Sequence, residues 1–190
     1  MRTRDLGLLI LRLGVGGTVA AHGTQKLFGW FGGPGREGAA GMFEKMGFPR
    51  SEEAATAAAV IETAGGTLLG LGLATPAVGA AVAGNMRTAA DVHRPNGFFA
   101  MNGGFELPFN LGVAAGVLAL TGPGRLSFDH LLRNRLARPW MGIVGIAAAV
   151  AAGTAIARTR RPPTQKEEEE VVDVRDEVAL AERAEVDVSI

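Results

Sequence analysis

Ionisable side chains are almost missing from four long apolar stretches of this chain, and that segregation constrains the fold more than any motif does. The stretches cover residues 6–22, 54–75, 76–92 and 105–121. Each has the roughly 17–22 residues that a helix needs to cross a hydrocarbon core of about 30 Å. A soluble domain scatters its charges over its whole surface. Here the 19 basic and 19 acidic residues collect in loops and in a tail that turns strongly acidic from Glu167 onward. The expected fold class is all-α: a transmembrane four-helix bundle with an acidic tail.

A fifth stretch, 140–157, is long enough to span but is built largely of alanine and glycine, and alanine is near neutral for insertion. It is a candidate fifth, C-terminal membrane helix or an interfacial one. The organisation read from the chain is a four-helix membrane unit over 1–128, an arginine-rich loop over 129–139, the additional apolar helix over 140–157, and a charged, partly disordered tail over 158–190. That tail holds Pro162-Pro163, the acidic run 167–170 and a brief helix around 177–184. Glycines are frequent, as expected where helices approach closely, and Gly66 and Gly70 form a GxxxG pair.

Arg2 and Arg4 precede the first stretch, with Val19-Ala20-Ala21 in the position of a cleavage site, but Arg12 interrupts the apolar run. A signal peptide seldom tolerates that, so a retained helix is expected. Arg2 and Arg4 before the first span, and Arg125, Arg133, Arg135 and Arg138 after the fourth, predict a cytoplasmic N-terminus. Four spans then leave both ends cytoplasmic, with a tight turn at Thr75-Pro76 and with loops 23–53 and 93–104 outside. Crossing by 140–157 would place Arg158, Arg160 and Arg161 outside and strains this scheme. Within the first outer loop, Phe28, Trp30 and Phe31 suit the interfacial belt, and 36–46 reads as a short amphipathic helix stopped by Gly47 and Pro49.

The chain has no cysteine, which removes disulfides, thiolate catalysis and zinc–thiolate or iron–sulfur ligation. No basic stripe with interleaved aromatics points to nucleic acid. Interest therefore falls on ionisable groups in or beside the apolar stretches, which are costly there and mark sites. A helical rise of about 1.5 Å per residue puts Glu62 and Arg87 nearly level on neighbouring antiparallel helices, so an ion pair between them is expected, with Arg12 leaning toward the cytoplasmic side. His22, Gln25, Lys26, Asp91, His93, Glu106 and Asn110 crowd toward the outer level. Glu62, Glu106 and His22 are the candidate proton-exchanging, catalytic residues. Arg87, His93 and Asn102 are the candidate contacts to a bound cofactor. No metal site is assigned, because the two histidines and three carboxylates show no fixed ligand spacing.

Each of these residues has a structural reading as well. Arg12 can snorkel or bond a neighbouring helix, and Glu62 with Arg87 can simply fix helix register. The phenylalanines over 98–105 suit interfacial packing, and a lid over a lipid-soluble ring is the alternative. Asn96-Gly97 and Asn102-Gly103-Gly104 are turn chemistry.

In order along the chain stand Leu11-Arg12-Leu13-Gly14, Ala21-His22-Gly23, Gln25-Lys26-Leu27-Phe28-Gly29, Gly32-Gly33-Pro34-Gly35 and Gly47-Phe48-Pro49. Glu62 with Gly65-Gly66, Pro95-Asn96-Gly97-Phe98-Phe99 and Asn102-Gly103-Gly104-Phe105-Glu106 follow. As an ordered set these resemble the DoxX family of small bacterial membrane proteins, over roughly residues 6–128. The resemblance implies a four-helix membrane bundle in the bacterial inner membrane and a link to membrane oxidoreductases, since the family name attaches to a subunit of a thiosulfate:quinone oxidoreductase. The arginine-rich loop, the fifth apolar stretch and the tail are additions to that pattern.

Two functions are expected to compete. In the first, the protein is an accessory subunit of a quinone-linked oxidoreductase system: a quinone from the bilayer docks at the outer polar cluster, and a partner redox protein carries the electrons, because no flavin, haem or iron–sulfur signature is present. In the second, it is a non-catalytic membrane scaffold that recruits soluble redox or stress-response proteins through its acidic tail. A small-solute transporter is a weaker third reading, since paired broken helices and repeat symmetry are lacking.

Overall fold

The structure, a computed structural model, describes residues 3–161 and is all-helical, with no strand among those residues. The tail expected after residue 161, with its acidic run and brief helix, lies outside the described residues. Helix α1, Thr3–Phe28, carries Asp5 in its first turn and Lys26 in its last, which complements the helix dipole. Gly29 follows with a φ of 71°, the left-handed geometry that stops a helix. Helix α2, Gly35–Lys45, ends one residue short of the amphipathic helix expected over 36–46.

Helix α3, Ser51–Leu71, is continuous but contains one π turn, Ile61–Gly65. Helix α4, Thr75–His93, starts with Pro76 in its first turn, where a missing N–H goes unnoticed. Helix α5 is Glu106–Thr121, α6 is the single turn Phe128–Leu131, and α7 is Pro139–Thr159, again opened by proline.

The long helices α1, α3, α4 and α5 alternate in direction, and α4 packs against α3, α5 and α7 at the centre. Gly145 lies against Ala80, Gly84 against Ala149 and Gly153 against Thr88, so α7 runs parallel to α4. The shared core is Val15, Val19, Leu69, Val82, Met86, Ala115 and Leu118. The glycine pair on α3 does what its spacing suggests: a Cβ on Gly16 of α1 would stand 2.5 Å from the Gly66 carbonyl oxygen and 2.6 Å from the Gly70 nitrogen.

Two expectations are corrected here. The fifth apolar stretch is part of the bundle, packed on α4 and α5, so five long helices assemble rather than four. With α7 parallel to α4, the two ends of the described chain lie at opposite ends of the bundle. Near the N-terminus, Asp5 Oδ1 accepts from the Arg125 amide at 3.0 Å, whereas the Arg161 amide donates to the Gly47 carbonyl at 2.8 Å at the other end.

The second correction concerns the turn between α3 and α4. It falls at 72–74, three residues before the expected Thr75-Pro76. Asp129 sets this position: its carboxylate accepts from the amides of Ala74 at 2.8 Å and Thr75 at 2.9 Å. The exposed N–H groups of a helix start are thus capped by a residue more than fifty positions away.

Three of the described helices, α1, α3 and the 139–156 part of α7, are long and apolar enough to cross a membrane, and α5 is a shorter apolar helix. The apolar window of α7 is the most hydrophobic and the least buried of the three. Helix α4 is not among them, and its polar residues explain why. It packs against three neighbours, and Thr75, Asn85, Arg87, Thr88 and Asp91 lower its hydropathy, with Thr75 buried, Asn85, Thr88 and Asp91 half-buried and Arg87 exposed.

Candidate functional site

Glu62 sits within the π turn of α3 and is only 3 % exposed. Its Oε2 is paired with the Lys26 ammonium from the last turn of α1. Its Oε1 accepts from the Asn85 side-chain amide of α4 at 3.1 Å. Three helices thus meet on one carboxylate, and both of its oxygens are satisfied.

This polar knot forms one wall of a cavity of about 130 Å³. Met42, Phe43, Met46 and Phe48, from α2 and the turn after it, cover the opposite side, and Ala58, Ala89 and Val92 complete the apolar lining. His93 stands at the same cavity, with Nδ1 at 3.0 Å from the Gly103 carbonyl oxygen. A carbonyl only accepts, so Nδ1 carries the proton and Nε2 is left as the acceptor of the neutral ring.

The cover is tied down from α7. Arg160 Nε donates to the Met46 carbonyl at 3.0 Å, and its guanidinium lies 5.3 Å over the Phe48 ring. Burial there pulls Arg160 below the ordinary arginine value, and the charge of Asp91 opposes that fall.

The expected Glu62–Arg87 ion pair is not formed. Arg87 pairs instead with Asp91, four residues on along its own helix. Helix phase is the reason: Asn85 faces Glu62, and Arg87, two residues later, is turned about 200° around the axis. Arg87 lines a separate apolar cleft between α4, α5 and α7, together with Phe109 and Val150.

The other sequence-predicted residues are more dispersed. His22 lies one turn before Lys26 on the same face of α1 and does not line the cavity. Glu106 accepts from the Ala100 amide at 3.0 Å and so closes the 97–105 loop on itself. Asn102 is exposed on a short 3₁₀ turn within that loop. Phe98 packs edge-on against Phe99, Phe105 and Phe109 rather than over the cavity. Among the described residues no cluster of three or more His, Asp or Glu is placed to hold a metal ion. Of the six candidates, then, the cavity gathers Glu62 and His93.

Lys26 was visible as a polar residue at the right level, but Asn85 was missed. Its signal was there: an amide in mid-span, between Gly84 and Met86, is out of place unless it has a buried partner.

Arg12 belongs to a different knot, at the other end of the bundle. It is fully buried, with Nη1 donating to the Gly70 carbonyl at 3.0 Å and Nη2 donating to the Leu126 carbonyl. Asp129, also fully buried, lies close by and caps α4. The arginine therefore clamps α1 to the end of α3 and to the loop after α5.

A helical bundle with membrane-capable helices, and a buried carboxylate paired with a lysine beside a mostly apolar cavity, defines a polytopic membrane protein with a polar knot between its helices. Residues 7–94 match the family model described as DoxX, and over that stretch the chain is similar to the DoxX family. No curated protein matches the chain, and no solved structure does either. The family match and the apolar helices together make this a multi-pass protein of the membrane. Every residue lining the Glu62 cavity, from Lys26 to His93, lies inside the matched stretch, whereas α5, α6 and α7 lie beyond it.

Proposed function

We propose that this DoxX-like protein is an accessory subunit of a quinone-linked membrane redox system, and that the Glu62 cavity takes the quinone ring. The observation that carries the reading is the buried Glu62 carboxylate, held by Lys26 and Asn85, on the wall of a mostly apolar cavity. Small-molecule sites have this character: mostly apolar walls with a few convergent polar groups. The volume suits one ring, since a cavity of roughly 150 Å³ holds a benzene.

A bound quinone supplies two-electron chemistry, with the electrons drawn from a partner redox protein and two protons taken up per quinol formed. The chain's residues do the rest. Met42, Phe43, Met46 and Phe48 exclude water from the ring. Glu62 is the group placed to exchange a proton at the ring, with Lys26 orienting its carboxylate, and His93 Nε2 offers a second exchange point toward the loop side. The reading keeps the N-terminal end cytoplasmic, on the strength of Arg4, Arg125, Arg133, Arg135 and Arg138 at that end, so the cavity lies toward the outer side.

The test is binding of a short-chain benzoquinone to the purified protein in mild detergent, wild type against Glu62→Gln. Affinity is expected to fall about tenfold in the variant, equivalent to ~1.4 kcal/mol, with helical content unchanged. Absence of binding in both proteins would overturn the quinone site and leave the recruiting scaffold as the account.

A further inference from the structure

At the end of the bundle away from Glu62, a cleft of about 480 Å³ opens among the start of α1, the end of α5 and the segment leading into α7. We propose that this cleft binds an anionic phospholipid, its phosphate held by Arg4 and Arg125 and its acyl chains directed along the exposed Leu120. The proposal is independent of the redox reading.

Arginines far apart in sequence reach the same cleft: Arg4 opens α1, and Arg125 follows α5. Both are exposed, and neither pairs with a carboxylate among the described residues. The nearby acids are already engaged. Asp5, which also lines the cleft, is buried and accepts from the Arg125 backbone amide at 3.0 Å, and the fully buried Asp129 is taken up by the amides of Ala74 and Thr75. His130 and Asn134 add polar side chains to the same wall. An anion entering the cleft thus meets two guanidiniums that form no ion pair among the described residues, whose planar donor forks suit a phosphate.

The lower wall has the opposite character. Leu120, in the last turn of α5, presents an exposed apolar side chain to the cleft, so the cleft joins cationic and apolar surface. The ligand it fits is an amphiphile rather than a free anion. The adjoining segment points the same way: exposed Phe128, Leu131, Leu132, Leu136 and Trp140 alternate with Arg133, Arg135 and Arg138. That mixture belongs at a lipid headgroup boundary, and basic pockets between membrane helices hold anionic headgroups.

The experiment uses the full chain in neutral detergent, titrated with short-chain phosphatidylglycerol, with phosphatidylcholine of the same chain length and with inorganic phosphate, following the melting temperature. Phosphatidylglycerol is expected to raise it saturably and the other two much less. Arg4→Gln with Arg125→Gln should weaken the phosphatidylglycerol effect about tenfold or more, as loss of charge-assisted hydrogen bonds predicts, while Arg158→Gln at the opposite end leaves it unchanged. Equal stabilisation by phosphatidylcholine would overturn the proposal, as would an undiminished effect in the double variant. Equal saturation by inorganic phosphate would reassign the cleft to a free anion. The lipid comparison on the wild-type protein decides without any variant.

Discussion

A carboxylate buried to the extent of Glu62 is tolerated because each oxygen has its own donor, and that arrangement is asymmetric in its consequences. Removing one partner strands a charge, whereas removing both charges leaves a neutral site. Lys26→Met is therefore expected to lower stability by about 3–5 kcal/mol, and Lys26→Met combined with Glu62→Gln to recover most of that loss. Denaturant titration of the two variants and of Glu62→Gln, in detergent, completes the cycle. A single-variant loss near zero would mean that Glu62 is held by Asn85 and water instead of by the ammonium. Both members of this pair could be named from the chain alone, since helical rise gives the depth of a residue. What rise does not give is the direction a side chain faces. Depth pairs Arg87 with Glu62 and disfavours Arg12, and the error lies in that angular coordinate, since Asn85 and not Arg87 faces Glu62. The same holds for Arg12, whose lean toward the N-terminal end was legible while its anchors at Gly70 and Leu126 were not.

Among the elements, those specified by local chemistry were the readable ones. Glycine and proline end or open α1, α2, α4 and α7, and the short α2 emerged within a residue of its expected bounds. Features set by distant residues were not readable. The start of α4 is decided by Asp129, and the π turn that carries Glu62 has no residue signature in 61–65. Such turns are rare and are often found at functional sites. Another long-range tie joins the end of α7 to the cover of the Glu62 cavity through Arg160, Met46 and Phe48. Arg160→Ala removes one hydrogen bond and one cation–π contact, together worth about 1–2 kcal/mol. The expected outcome is faster hydrogen exchange through α2 and residues 46–48, with the exchange of α3 and α4 unchanged. Exchange that stays at the wild-type rate would show α2 held by its packing on α1 and α3 alone.

Hydropathy ranks segments by how well they suit lipid, and in this bundle that ranking runs against centrality. The stretch 140–157 looked weakest because of its alanines, yet it packs as the outer, least buried of the membrane-capable helices, α7. Helix α4 reads as a plausible span but packs between α3, α5 and α7, where Asn85 bonds Glu62 of a neighbour and Arg87 pairs with Asp91 on its own helix. Adding α7 makes five long helices, and an odd number carries the chain's two described ends to opposite sides. The arginines at 158, 160 and 161 then sit on the side of α2, against the simplest charge rule, and Arg160 is employed there as a structural tie. The absence of cysteine makes this arrangement directly measurable, since any introduced thiol is the only one in the chain. Leu131→Cys, at the exposed end of α6, and Glu52→Cys, at the exposed start of α3, are expected to react with a membrane-impermeant maleimide from opposite faces. Arg161→Cys should follow Glu52→Cys rather than Leu131→Cys. Labelling of positions 131 and 161 from one face would mean that α7 does not cross in the membrane, and the packing of α4 between α5 and α7 would have to be abandoned with it.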